Sequence, residues 1–317
     1  MSKPFRFSVQ ASSAASGAAW RDLAHKVEDL GYSTLFLPDH YVDAASNGGQ
    51  GLAAIPAMAV AAAVTSTLRV GARVLCVDYH HPAVLAKEIA TLDLLSDGRV
   101  EVGLGAGWVA SEYEAMGLAM DDAPTRIARL AETVSFLDAF FGGETLASTG
   151  AYVTASGYKG QPAPVQQPRP PLIIGGGARK VLTYAGQVAD IVSFNFNNRA
   201  GVVGPDGVRS SSATAMDDKI GWVRAGAGAR FDQIELEVGA YFTVVTDDPG
   251  PVAEKMGGMF GLSGAEMAEH PNALIGSVDE ICDLLQARRE RYGFSYVSVS
   301  DRNADAFAPV VARLAGK

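Results

Sequence analysis

Four apolar runs in this 317-residue chain stop abruptly in small or polar residues: Leu35 to Tyr41, Val70 to Cys76, Val100 to Trp108 and Leu172 to Gly177. Strands that end this way, each followed by a stretch of helical period, are most simply accommodated by parallel strands whose ends converge on one face. The expected fold class is α/β, a (β/α)8 TIM barrel formed by one domain over residues 1–317. Its eight strands are expected at Phe5 to Gln10, Ser33 to Leu37, Leu68 to Val77, Arg99 to Leu104, Leu172 to Ile174, Ile191 to Phe194, Ile234 to Val245 and Tyr296 to Val299.

Helical periods fill most of the intervals. Trp20, Leu23, Ala24, Val27 and Leu30 share one face up to a stop at Gly31, and Ile55 to Val64 reads as a second helix. Pro82 opens a third, with Val84, Leu85, Ile89, Leu92 and Leu95 on one face. Ile127, Leu130, Val134, Leu137 and Phe141 mark another, followed by Lys180 to Gly186, Val278 to Arg291 and a terminal helix. Two irregular insertions at the C-terminal face interrupt this alternation. Residues 144–171 are rich in Gly, Pro and Gln, and residues 195–213 carry little apolar content, which suits a mobile cover over the strand ends.

Composition narrows the partners. A hydrophobic content of 48% supplies a large core, and a net charge of -9 with no basic run opposes phosphate-neutralising binding to nucleic acid. No apolar run is long enough to span a bilayer, and Met1-Ser2-Lys3-Pro4-Phe5-Arg6 leads into a strand rather than a signal segment. A cytoplasmic protein without a membrane partner is expected. Cys76 and Cys282 read as small core residues, and with no His-x-x-x-His or cysteine cluster no metal site is expected.

Three constellations carry chemistry. Asp39-His40 sets an imidazole, which can exchange protons near neutral pH, at a strand end; the alternative is a loop-capping histidine with a surface carboxylate. Ile173-Ile174-Gly175-Gly176-Gly177-Ala178-Arg179-Lys180 places free backbone amides between a strand and a helix, suited to one phosphate, although such a turn is often only structural. In Gly103-Leu104-Gly105-Ala106-Gly107-Trp108, alternate small residues admit either a flat ring or close packing inside the barrel. His25 reads as a solvated or an edge residue of the first helix and His270 as part of an irregular acidic stretch; His80-His81 either lines the mouth or orders a loop. Tyr41, Tyr79 and Phe194 are candidate substrate-pocket walls or ordinary aromatic anchors.

Together these segments resemble the luciferase-like flavin and deazaflavin oxidoreductases. The resemblance spans nearly the whole chain, through Leu37-Pro38-Asp39-His40, Leu68 to Leu75, His81-Pro82-Ala83, Leu92 to Val100, Gly103 to Trp108, Glu112-Tyr113 and Ile173 to Gly177. It implies a barrel with a redox ring at the C-terminal face and, from the branch using the deazaflavin coenzyme F420, a cofactor contact for Asp39 and proton transfer by His40. It also implies a non-prolyl cis peptide at Arg73-Val74 and a cofactor-binding set of Asp39, Arg73, Val74, Cys76, Gly105, Ala106, Gly107, Trp108, Ser111, Gly175, Gly176, Gly177, Ala178 and Arg179. Trp108 stands where the sugar-phosphate dehydrogenase branch carries a glutamate, which argues against a sugar-phosphate substrate. The expected activity is F420-dependent hydride transfer to or from a small organic molecule, in a homodimer. An FMN-dependent monooxygenase and a non-catalytic flavin-binding paralogue are the alternatives.

Overall fold

The computed structural model describes residues 3–41 and 50–317. Met1 and Ser2, the first residues of the segment expected to lead into a strand, lie outside them. In chain order the elements are β1 (Arg6–Gln10), α1 (Gly17–Asp29), β2 (Thr34–Leu37), α2 (Ala54–Val64), β3 (Arg69–Ala72), β4 (Leu75–Cys76), α3 (Pro82–Leu95), β5 (Val100–Gly105), α4 (Ala110–Ala115) and α5 (Ala123–Phe141). There follow β6 (Thr145–Thr149), β7 (Thr154–Lys159), β8 (Leu172–Gly176), α6 (Arg179–Val188), β9 (Ile191–Phe194), α7 (Pro205–Arg209), α8 (Ala213–Ala227), β10 (Glu235–Gly239) and β11 (Phe242–Val245). The chain closes with α9 (Pro249–Met259), α10 (Gly264–Glu269), β12 (Ala273–Gly276), α11 (Val278–Tyr292), β13 (Phe294–Ser300) and α12 (Ala304–Leu314). The order of the parallel strands is that of a closed (β/α)8 barrel. Two compact units make it up: residues 12–24 with 36–173, and residues 1–11, 25–35 and 174–317.

In the first unit the core forms where helical and strand periods agree. Phe36, Leu37, Val70, Val100, Val102 and Leu104 from the strands are buried, as are Leu85, Ile89, Leu130, Val134 and Phe140 from the helices, each contributing roughly 1.5–3 kcal/mol by leaving water. Gly71 is glycine for steric reasons: a Cβ there would lie 2.7 Å from both the Phe36 ring and the Glu101 carbonyl. The long expected strand Leu68 to Val77 is broken in two. Between β3 and β4 lies the non-prolyl cis peptide Arg73-Val74, at the position the resemblance implied, and Val77–Tyr79 turns as a 3-10 helix. On α3, Leu85, Ile89 and Leu92 are buried whereas Val84 and Leu95 face outward, because adjacent helical residues diverge by about 100° and Ala86 and Ala90 complete the inner face.

Residues 144–171 are not irregular throughout. They contain the antiparallel hairpin β6–β7, whose first strand buries only Leu146. One buried side chain in five leaves no apolar alternation to read. The hairpin tip is held by Glu132 of α5, whose carboxylate accepts the backbone N–H groups of Ala151, Tyr152 and Val153 at 3.1, 2.8 and 2.9 Å. Further on, the Gln166 amide donates to Asp93 and to the Val100 carbonyl at 2.7 and 2.8 Å.

In the second unit, β1 pairs with β13 in parallel register and β10 lies between β9 and β13. Helix α11 is written into its sequence by a Ser277/Glu280 capping box, acidic residues in the first turn, Arg289 and Arg291 in the last, and Gly293 in the left-handed region at its end. The expected strand Ile234 to Val245 divides at Ala240-Tyr241. Its second half, β11, leaves the barrel sheet to pair with β12. Asn272 makes the division possible by supplying what the ladder no longer does: its amide donates to the Gly239 carbonyl at 2.7 Å, and its own carbonyl accepts the Phe242 N–H at 3.1 Å. Residues 195–213 include helix α7 and lead into α8, and Phe196 and Val208 are buried with Phe242, Met267 and Ala273 in a small secondary core.

Candidate active site

His40 follows the end of β2, and every hydrogen bond it makes among the described residues falls on one ring nitrogen. Nδ1 lies 3.1 Å from both Oε1 and Oε2 of Glu112 in α4. Glu112 is 2% exposed, and its Oε1 also accepts the Tyr41 N–H at 2.9 Å while Oε2 accepts the Tyr79 hydroxyl at 3.3 Å. The His40 side chain stays 35% exposed, and among the described residues Nε2 takes part in no hydrogen bond. Trp108 meets the imidazole edge-on, with centroids 5.8 Å apart.

Asp39 points elsewhere. Its Oδ2 accepts the Cys76 N–H at 3.0 Å and lies 2.8 Å from His80 Nε2, joining the end of β2 to the end of β4. The sequence reading weighed His80 as a mouth-lining or loop-ordering residue; its contact with the 5% exposed Asp39 gives it the ordering role. His81 caps α3, accepting the Ala83 N–H on Nδ1 at 3.3 Å. His25 is exposed, and His270 is buried, with Nε2 2.9 Å from the Val208 carbonyl.

Behind Glu112 a second layer of polar contacts holds the loops. The Tyr113 hydroxyl donates to Asp78 at 2.7 Å, Asp78 pairs with Arg129 of α5 at 2.7 Å, and Arg129 also pairs with Asp121. Arg126 Nε donates to the Ala106 carbonyl at 3.0 Å, fixing the turn after β5. Burial, with the charge of Asp39 second, pushes the Tyr41 phenol up to about 12; burial raises Tyr79 and Tyr113 as well. All three phenols are therefore protonated donors at neutral pH. Cys76 is pushed up to about 12 chiefly by burial, so its thiol, 3.4 Å from the Tyr113 hydroxyl, is an inert core group.

The glycines after β5 resolve in favour of packing. Cβ atoms at Gly103 and Gly105 would strike the Ala72 carbonyl and the Val74 side chain, and one at Gly107, where φ is +73°, would strike Tyr113. Val74 fills these gaps and remains partly exposed, as does Trp108. Ser111 is exposed on α4. Of the expected pocket walls, Tyr41 is 50% exposed and Tyr79 is partly buried against it, with centroids 5.5 Å apart. Phe194 is a correction: it is fully buried, 5.6 Å from the Phe294 ring, because the last residue of β9 turns into the core.

In the second unit, Gly175 and Gly177 are buried, whereas Gly176 and Ala178 are partly exposed and Arg179 and Lys180 fully so. Gly177 is required by the Asn195-Phe196 backbone, which a Cβ would approach to 2.3 Å, and Gly176 by Val181. At the start of α6, Ala178 offers no side-chain cap. The first amides of that ten-residue helix and its two leading cations make a donor set suited to an anionic tail. In the first unit, partly exposed Val74 and Trp108 offer apolar surface suited to a planar ring. Taken each by itself, the first unit suits the ring of a redox cofactor and the second an anionic tail.

A family model for luciferase-like monooxygenases matches residues 1–256. The chain belongs to the luciferase-like monooxygenase family. Among curated relatives, an F420-dependent glucose-6-phosphate dehydrogenase of Microbacterium testaceum is 30% identical over 192 residues, which is 60% of this chain and 56% of the relative. An FMNH(2)-dependent dimethylsulfone monooxygenase of Pseudomonas putida is 27% identical over 160 residues, covering 50% of this chain and 40% of that one. The chain thus spans 56% and 40% of the lengths of these two curated relatives. Among solved structures, the coenzyme F420-dependent tetrahydromethanopterin reductase of Methanopyrus kandleri superposes with a TM-score of 0.77 over 98% of both chains, at 18% identity. This luciferase-like fold holds Glu112 and His80, to which sequence reasoning assigned no catalytic part, against the Asp-His pair it did single out. The Glu112-Tyr113 dipeptide within the family pattern was the available signal. No helix among the described residues is long and apolar enough to cross a membrane, and none of their His, Cys, Asp and Glu side chains gather into a metal-binding group.

Proposed function

We propose that this protein is an F420-dependent oxidoreductase acting on a small organic substrate. The observation that carries the reading is the His40 imidazole, anchored through Nδ1 to a buried carboxylate while its side chain stays 35% exposed. When bound, the deazaflavin supplies a carbon centre that gives or takes a hydride. The chain supplies the rest. Val74 and Trp108 support the ring, and His40 gives or accepts the proton coupled to hydride movement at Nε2. Asp39 acts in this scheme by holding β4 in place through Cys76. Trp108, edge-on to His40, and the half-exposed Tyr41 are aromatic, which favours an uncharged substrate over a sugar phosphate.

The likeness to the F420-dependent dehydrogenases supports this reading, and the likeness to the dimethylsulfone monooxygenase supports the alternative, an FMN-dependent monooxygenase. Titration of the protein with F420 and with FMN, followed by ring absorbance and fluorescence, separates the two. Saturable F420 binding at micromolar concentration without comparable FMN binding is expected. FMN binding with rapid oxygen consumption on reduction, and no F420 binding, would overturn the assignment.

The reading includes a homodimer, supported by α2. That helix has no charged residue, and its outward Pro56, Ala59, Val60 and Ala63 form an apolar face unlike the polar outer face of an ordinary surface helix. Light scattering should report twice the chain mass, and Val60→Glu should return it to the monomer value.

A further inference from the structure

We infer that Glu112 is a positioning residue that locks His40 in the tautomer protonated on Nδ1, making Nε2 the atom that exchanges protons. The inference rests on the proposed proton-transfer role of His40 and adds the residue and the atom through which that role is set. Nothing in the sequence pattern or in the relatives' names assigns this part to Glu112.

The argument is one of donor and acceptor inventory. An ionised carboxylate only accepts hydrogen bonds. Glu112 already accepts the Tyr41 N–H at 2.9 Å and the Tyr79 hydroxyl at 3.3 Å, and the raised Tyr79 phenol keeps its proton at neutral pH. With both oxygens 3.1 Å from Nδ1, the ring can complete the contact only by presenting an N–H there. A neutral imidazole has one N–H, so Nε2 is left with its lone pair, and when the ring takes a second proton it takes it at Nε2. Ring orientation is fixed by the same contact and by the edge-on Trp108. Glu112 is buried whereas the His40 side chain is 35% exposed, so the imidazole is the member of the pair that a bound molecule can reach.

The neighbouring pair shows that this is a particular choice. His80 meets Asp39 through Nε2, at 2.8 Å, and that carboxylate also carries a backbone amide, so the same residue types there tie two strand ends together. Among the described residues, the buried Glu112 is paired with a histidine side chain 35% exposed, and Asp39 with one 14% exposed.

The variant Glu112→Gln tests the tautomer without changing shape. With the glutamine carbonyl oxygen facing the Tyr41 N–H, its amide nitrogen faces Nδ1 and donates, which drives the proton to Nε2. In cofactor-free protein labelled with ¹⁵N in its histidine rings, at a pH where the imidazole is neutral, the His40 nitrogens should report an Nδ1–H tautomer in the wild type and an Nε2–H tautomer in Glu112→Gln. Turnover should fall by about 10²–10⁴-fold, as for other histidines held in the wrong tautomer, with F420 affinity within about threefold. Glu112→Asp, which keeps an acceptor-only group, should retain the wild-type tautomer and recover part of the turnover; it also serves if Glu112→Gln folds poorly. A wild-type ring already protonated on Nε2, or a tautomer indifferent to Glu112→Gln, overturns the inference. So does a reversed tautomer with unchanged turnover. Failure of His40→Ala to slow turnover would instead remove the proton-transfer reading itself, whatever the ring spectra show.

Discussion

Two histidine-carboxylate pairs of near-identical contact distance stand close together in the chain and do different work. His80 and Asp39 meet at 2.8 Å with side chains 14% and 1% exposed; His40 and Glu112 meet at 3.1 Å with side chains 35% and 3% exposed. In the first pair the carboxylate also bonds the Cys76 amide, so the contact joins two strand ends. In the second the carboxylate holds Nδ1 of an imidazole whose side chain is 35% exposed. The lesson is that the bonded nitrogen and the exposure of the side chain, more than the presence of a pair, distinguish the two histidines.

The largest expected difference lies in turnover. His40→Ala should lower kcat by about 10²–10⁴-fold, the usual share of a positioned proton donor or acceptor, while F420 affinity changes little. His80→Ala should leave kcat within about threefold but lower stability by roughly 1–3 kcal/mol, since it strips a buried carboxylate of a partner. Steady-state kinetics beside urea denaturation reads both, and equal kinetic losses would erase the distinction drawn between the pairs.

A third buried ionisable group, in the other unit, sharpens the comparison because it lacks a carboxylate. Lys219 is 1% exposed and donates to the Asn195 carbonyl and the Ser211 hydroxyl at 2.7 and 2.6 Å. Burial lowers its pKa to about 7. The folded value lies below the unfolded one of about 10.5, so between these pH values the unfolded chain binds a proton that the folded chain does not. Stability relative to Lys219→Met should therefore rise with pH across that window, at up to about 1.4 kcal/mol per pH unit. Denaturant melts at pH 7, 8 and 9 check the slope; a flat difference would mean that the amine keeps its charge when folded. The smallest effect is expected at Trp108, where Trp108→Ala removes one edge-on contact to the imidazole. A loss of about 0.5–1.5 kcal/mol in transition-state stabilisation, read as kcat/KM, is expected.

Much of the barrel was legible because its strands are short apolar runs with abrupt ends, a pattern carried by neighbouring residues. Helix α8 was not read, although Met216, Ile220, Val223 and Ala227 keep a helical spacing behind a Ser212 cap, because Asp217, Asp218 and Lys219 dilute it. The division of β10 from β11 was hidden for a different reason. It depends on Asn272, more than thirty residues away, to satisfy the Gly239 carbonyl.

The same division runs through the site. Local order alone determined that an imidazole would follow a strand end and that a glycine turn would lead into a helix, expected from Lys180, since both are properties of consecutive residues. Only the tertiary structure decided that Glu112, 72 positions away, faces His40, that Asp39 turns to Cys76 and His80, and that Phe194 lies in the core. Strand and helix periods are set by backbone geometry within a few residues, whereas the partner of a buried charge is set by which distant loops the packed elements bring within hydrogen-bonding reach.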